Sequence, residues 1–171
     1  MGHRNLIFEE EIIKTANIGD IFEGGMVFYT WSGGTHGYII CENDLPNSIW
    51  GCSGTSISTS EDVGTGQSNT NNIIAGCSTI GIAAELCDSL SISGYTDWYL
   101  PSYNEQSLIH DAVHLGFGNY TNGVPVSYYI YWSSSQQTDP DTSAQGFNLT
   151  TGGAYYKNKN ETWYVRAIRS F

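Results

Sequence analysis

Charge is what this sequence has least of. Only 13% of its residues are charged, about half the usual share of a soluble domain. Basic residues are scarcer still, six Lys and Arg against seventeen Asp and Glu, for a formal net charge of −11. Such a surface repels DNA, RNA and heparin-like polyanions over most of its area, so no nucleic-acid partner is expected. A cationic partner, a neutral glycan or a calcium-bridged ligand fits the charge better, and solubility alone is the plainer explanation of it. Long apolar runs are also missing. No stretch reaches the ~18 residues a membrane-spanning helix needs. Met1-Gly2-His3-Arg4-Asn5-Leu6 lacks the apolar segment of a secretory signal. Position 6 is Leu6 where a myristoylation signal has Ser or Thr. We therefore expect neither a membrane span nor a signal peptide. No segment repeats, and no cysteines stand at Cys-x-x-Cys spacing, which argues against zinc.

What replaces charge is Gly, Ser, Thr, Asn and Tyr, with 20 Gly and 12 Tyr. This is a composition for loop-rich surface proteins that contact partners through hydroxyls and amides. A hydrophobic share of 40% with 13% aromatics is ample for a core, and 171 residues suit one domain. Residues 1–17 read as an arm for attachment or subunit contact, with Leu6-Ile7-Phe8, Glu9-Glu10-Glu11 and Ile12-Ile13 in turn. Residues 18–171 form the domain. Met26–Trp31 and His36–Cys41, joined by Ser32-Gly33-Gly34-Thr35, predict a hairpin. Residues 47–70 predict a long irregular loop, functional or tied down. Ile73, Cys77, Ile80, Ala84 and Cys87 keep a helical spacing that Gly76 and Gly81 interrupt, which predicts two short helices or one bent one. Pro101-Ser102-Tyr103-Asn104-Glu105 predicts a capping box, followed by the apolar stripe Leu108, Ile109, Ala112, Val113 and a stop at Gly116. Strands are expected at Tyr128–Ser133, Ala144–Leu149, Gly153–Tyr156 and Trp163–Ile168. The order of elements predicts an α+β domain, a mostly antiparallel twisted sheet with two helices and long irregular loops.

The run Gly94-Tyr95-Thr96-Asp97-Trp98-Tyr99-Leu100-Pro101-Ser102 with Glu105 resembles the domain family typified by the C-terminal domain of the Legionella collagen-like adhesin. Gly24–Tyr29, Ile49–Cys52, Gly64–Thr70, Tyr131–Ser135 and Val165–Arg169 match the same family in order, so the likeness spans residues 18 to 171. The Leu-Pro-Ser-x-x-Glu core, Trp-Ser-Ser and terminal Val-Arg are also similar to formylglycine-generating enzymes and to variable receptor-binding tips of certain phages. The resemblance implies a C-type-lectin-like scaffold, a ligand face of irregular loops, and a trimer. Two departures bear on the ligand and the assembly. That adhesin is associated with sulphated polysaccharides, which this acidic chain does not suit, and no collagen-like repeat precedes the domain here. The enzymes of this scaffold use reactive cysteines or bound copper, and their cysteine pattern is not evident near this C-terminus, so no enzyme is expected.

Individual residues sharpen the expectations. The ligand face is placed between Ser133 and Val165, on Gln136, Gln137, Asp139, Asp141, Gln145, Asn148, Tyr155, Tyr156 and Asn158, because tyrosine faces stack on sugars and amides bond hydroxyls. Asp139-Pro140-Asp141 is similar to the calcium motif of lectins of this fold, with Asn160 and Glu161 as further oxygen ligands. The plainer reading is a proline turn with solvated carboxylates, and no other cofactor is expected. Trp132 and Trp163 are expected in the core. Asp97 is expected to tie down a turn, Glu105 to cap a helix, and His110 with His114 to be solvated surface. Of the three pairings open to Cys41, Cys52, Cys77 and Cys87, Cys52–Cys77 is preferred because it pins the long loop. Four buried free thiols are the alternative. The reading as a whole is a module binding a cell-surface glycan or protein, an adhesin head or phage receptor-binding piece at a cell or virion surface. In a virion, the 5–17 arm would be its attachment. The alternative is a structural capsid or tail decoration protein with no ligand of its own.

Overall fold

The computed structural model describes residues 13–114, 129–137 and 141–171. Most of the expected arm, residues 1–12, lies outside them. The hairpin forms as its turn chemistry dictates. Strands β1 (Ile21–Phe22), β2 (Gly25–Trp31) and β3 (His36–Ile40) run antiparallel, with a 3-10 turn at Ser32–Gly34 between the last two. Gly33 and Gly34 take φ of 70° and 85° there, a conformation that side chains disfavour.

Two sheets stand where one was expected. β4 (Leu45–Ile49), β5 (Ile130–Gln136), β6 (Ser143–Asn148), β7 (Ala154–Asn158) and β8 (Thr162–Val165) make the second, in the order β4-β8-β5-β6-β7. It is antiparallel except where β5 meets β8. The first sheet is completed by β9 (Ile168–Ser170), in the order β1-β2-β3-β9. The run Trp163–Ile168, read as one strand, therefore divides between sheets at Arg166 and Ala167. The β3–β4 connection crosses alongside it. Cys41 N donates to Ala167 O at 3.0 Å, and Arg166 Nε donates to Asp44 Oδ1 at 2.6 Å, which fixes the corner. β4 takes in residues 47–49, expected to be irregular; it is an edge strand, where Pro46 is tolerated.

There are three described helices, not two. α1 (Gly66–Gly76) and α2 (Ala83–Asp88) are the interrupted pair, broken where Gly81 turns left-handed at φ 72°. α3 (Tyr103–His114) follows the capping box and lays Ile109 and Ala112 on Phe28, Tyr38 and Ile40 of the first sheet. Trp50, Trp98 and Trp132 are fully buried in a separate, larger cluster. Each indole N–H has a carbonyl, at Ser133 (2.9 Å), Tyr95 (3.1 Å) and Ser48 (2.9 Å) respectively, as a buried indole requires. Trp163 is also buried, its ring 4.2 Å from that of Trp132.

Candidate functional site

The sequence signature is a frame. A helix start leaves backbone N–H groups without partners inside the helix, and the signature supplies them at α3. Ser102 Oγ accepts from Glu105 N at 3.3 Å, and Glu105 Oε2 accepts from Ser102 N at 2.7 Å. Tyr103 N donates to Ser135 Oγ at 3.1 Å and Asn104 N to Glu61 O at 3.0 Å. Glu105 also accepts from Gly64 N at 2.9 Å. It is fully buried, and burial raises its pKa despite these bonds. Ser134 N donates to Pro101 O at 2.7 Å, Asn69 Nδ2 to Ser134 Oγ at 3.1 Å, and Gln106 Nε2 to Trp132 O at 3.0 Å. The Gly64–Thr70, Leu100–Glu105 and Trp132–Ser135 motifs thus converge on one buried network.

The irregular loop expected over 47–70 is shorter than that, since residues 47–49 belong to β4 and 66–70 open α1, and the remainder, 50–65, is tied down. A disulfide joins Cys52 to Cys77 across a Cα separation of 5.2 Å. Lys159, fully buried, reaches under the loop: its Nζ donates to Thr55 O at 2.8 Å and to Gln136 Oε1 at 2.7 Å, 4.6 Å from the centre of the Trp50 ring. Burial lowers its pKa from 10.5 to about 8. Cys41 and Cys87 are free and buried; burial pushes the first to about 11 and the second well above its ordinary value.

Three residues assigned to the ligand face are buried, and each has a structural reason to be. Gln136 accepts from Ile57 N at 2.9 Å and donates to Asp141 Oδ1 at 3.2 Å, besides holding Lys159. Asn148 Oδ1 accepts from Thr150 N (2.9 Å) and Thr151 N (3.0 Å), closing the turn after β6. Gln145 is 4% exposed, and its Nε2 donates to Glu61 Oε1. Gln137 is half-buried at the end of β5. Tyr155, Tyr156 and Asn158 are exposed on β7, an edge strand. The two tyrosines, at 42% and 54% exposure, are neighbours in a strand and so point to opposite faces. Asp139 lies outside the described residues. Asp141, Asn160 and Glu161 are not gathered: Asp141 faces Gln136, while Glu161 pairs with Lys157 at 2.6 Å. Among the described residues no group of three or more His, Cys, Asp or Glu is placed to hold a metal ion.

Asp97 does more than shape a turn. Arg169 grips it with Nε–Oδ1 at 2.7 Å and Nη2–Oδ2 at 2.8 Å, and holds Glu23 at 3.0 Å. That guanidinium keeps the Asp97 pKa below its ordinary value. His110 is not solvated surface: its side chain is 18% exposed and packs against Phe147 and His114 at 5.9 and 4.2 Å between ring centres. Two residues near the exposed edge escaped the sequence reading, Glu61 in the loop and Tyr103 in the first turn of α3. Tyr103 stands 5.4 Å from the Phe147 ring. Nothing in their spacing marks them, because the fold of the loop brings Glu61 to β6 and the docking of α3 brings Tyr103 there.

An α+β domain with two sheets, three described helices and loops locked by a shared network is a scaffold that presents an edge. The family model of the Lcl C-terminal domain matches residues 49–169. The chain belongs to this family and is an adhesin-related module, which fits a receptor-binding role at a surface or extracellular location. No curated protein sequence matches the chain. No described helix is long and apolar enough to cross a membrane.

Proposed function

We propose that the chain is a non-enzymatic surface-recognition module on a C-type-lectin-like scaffold. Its ligand is a cell-surface glycan or protein, and it acts as an adhesin head or as a phage receptor-binding piece on a virion. The observation that carries this reading is a division of roles. The signature residues form a buried hydrogen-bonded frame, while the large tyrosines Tyr155 and Tyr156 stand out on the edge strand β7. Rigid, amphipathic aromatic faces on a fixed support give contact area at low entropic cost. Thiol chemistry is disfavoured, since Cys41 and Cys87 are buried with raised pKa values and Cys52 and Cys77 are bonded. Asp97 and Glu105 are likewise engaged in holding the frame. A homotrimer, attachment through residues 5–17 and calcium held by Asp139 and Asp141 belong to this proposal.

The test is a glycan-array and whole-cell binding assay of the purified chain, with calcium and with chelator. Saturable binding supports the module, and loss of binding in chelator assigns calcium a role. A folded sample that binds no glycan and no cell points instead to a structural decoration protein of a capsid or tail.

A further inference from the structure

The corner where the first turn of α3 meets the edge of the second sheet has an unusual balance of groups. In β6 and β7, Gln145 stands opposite Tyr156 and Phe147 opposite Ala154, so Gln145, Phe147 and Tyr156 share one face. Tyr103 packs on that face against Phe147. Gln145 joins Glu61 by a hydrogen bond and stands opposite Tyr156, two positions along β6 from the Phe147 on which Tyr103 packs, so the four side chains meet at one corner. Glu61 is exposed, and Gln145 Nε2 donates to its carboxylate. That bond fixes which way the Gln145 amide faces, since the reverse would set oxygen against oxygen. The other end of the amide, Oε1, is buried and has no hydrogen-bond donor among the described residues, a costly condition for a polar atom.

The solvent-accessible groups at this corner accept hydrogen bonds or offer ring faces: the Glu61 carboxylate and two phenols. The described residues supply no cation to them. Of six basic residues, five are described, and each is engaged elsewhere. Lys14 pairs with Glu23, Lys157 with Glu161, Arg166 with Asp44 and Arg169 with Asp97, while Lys159 is spent under the loop.

We propose that the corner formed by Glu61, Tyr103, Gln145 and Tyr156 binds a cationic group, an ammonium carried by the receptor. The carboxylate meets the charge, the phenol rings flank it through cation–π attraction, and Gln145 orients the carboxylate. The net charge of −11 draws such a ligand in. This rests on the recognition reading for its biological sense, and its chemistry is tested separately.

The probe is choline chloride, titrated into the folded chain by calorimetry beside its neutral isostere 3,3-dimethylbutan-1-ol. Choline binds saturably, and the alcohol binds about tenfold more weakly or worse. Glu61→Gln and Tyr156→Ala each weaken choline by about tenfold, with circular dichroism unchanged. Glu42→Gln, which removes an exposed carboxylate elsewhere, leaves it as it was. Equal binding of choline and the alcohol overturns the proposal, as does equal weakening by Glu42→Gln or no saturation at all. Whole-cell binding of the same variants separates the two claims. Cells bound while choline is not would sink the cation site and leave the recognition module standing; choline bound while cells are not would do the reverse.

Discussion

Lys159 is the residue on which the loop at 50–65 rests. Its ammonium is fully buried, satisfied by Thr55 O and Gln136 Oε1 and set beside the Trp50 ring. Lys159→Met leaves those acceptors without their donor, and we expect it to cost about 1–3 kcal/mol in urea unfolding near neutral pH. The folded pKa of about 8 lies below the ordinary 10.5. Between those values the unfolded chain holds more protons, so this group adds stability as pH rises through the window and loses it as pH falls. The gap between wild type and Lys159→Met should therefore widen from pH 8 towards pH 10.5. A gap that stays flat or narrows would contradict the assignment. The same residue shows why sequence reading misplaced Gln136. A glutamine among serines in a strand looks like a surface residue, and only the lysine arriving from 23 positions later shows that it is internal.

At the scale of elements, the parts fixed by local chemistry were legible. The capping box of α3, the hairpin of β2 and β3, and the break between α1 and α2 depend on neighbours in sequence, and each forms where those neighbours predict. Parts fixed by distant packing were not. β5 and β6 are buried along most of their length, so no polar alternation marks an outer face. Gln145 and Asn148, expected on the ligand face because amides bond hydroxyls, are buried with these strands. The second sheet is tight enough that a side chain at Gly146 has no room. A Cβ there would lie 2.6 Å from Trp163 Cε3 and 2.8 Å from Ile130 Cγ2. Gly146→Ala is expected to lose about 1–3 kcal/mol by overpacking, seen as a lower urea midpoint with an unchanged slope. The loop gives a second expectation. Cys52 and Cys77 are 25 residues apart, and the double variant Cys52→Ser, Cys77→Ser should lose about 3 kcal/mol by freeing that length in the unfolded chain. A loss under about 1 kcal/mol would mean that Lys159 and the Asn69–Ser60 bonds carry the loop unaided.

At the scale of the molecule, two sheets meet at the corner held by Asp44 and Arg166, and the loops between them are bound into one network. Family membership was readable because the signature residues build that network and stand at fixed places in the chain. The site was readable only in part. Tyr155 and Tyr156 announce themselves as exposed aromatics, but that they face opposite ways and that Glu61 and Tyr103 join one of them are consequences of register and docking. A frame so separated from its exposed edge allows the edge to change while the fold persists, which is what a recognition module requires.

Recognition by this domain turns on that separation, and one measurement tests it most directly. Whole-cell binding and melting temperature are measured together on the wild type and on the double variant Tyr155→Ala, Tyr156→Ala. We expect cell binding to disappear while the melting temperature moves by no more than about 2 °C, since both side chains are exposed. Undiminished binding by a variant that melts like the wild type would contradict the account and remove β7 from the recognition surface.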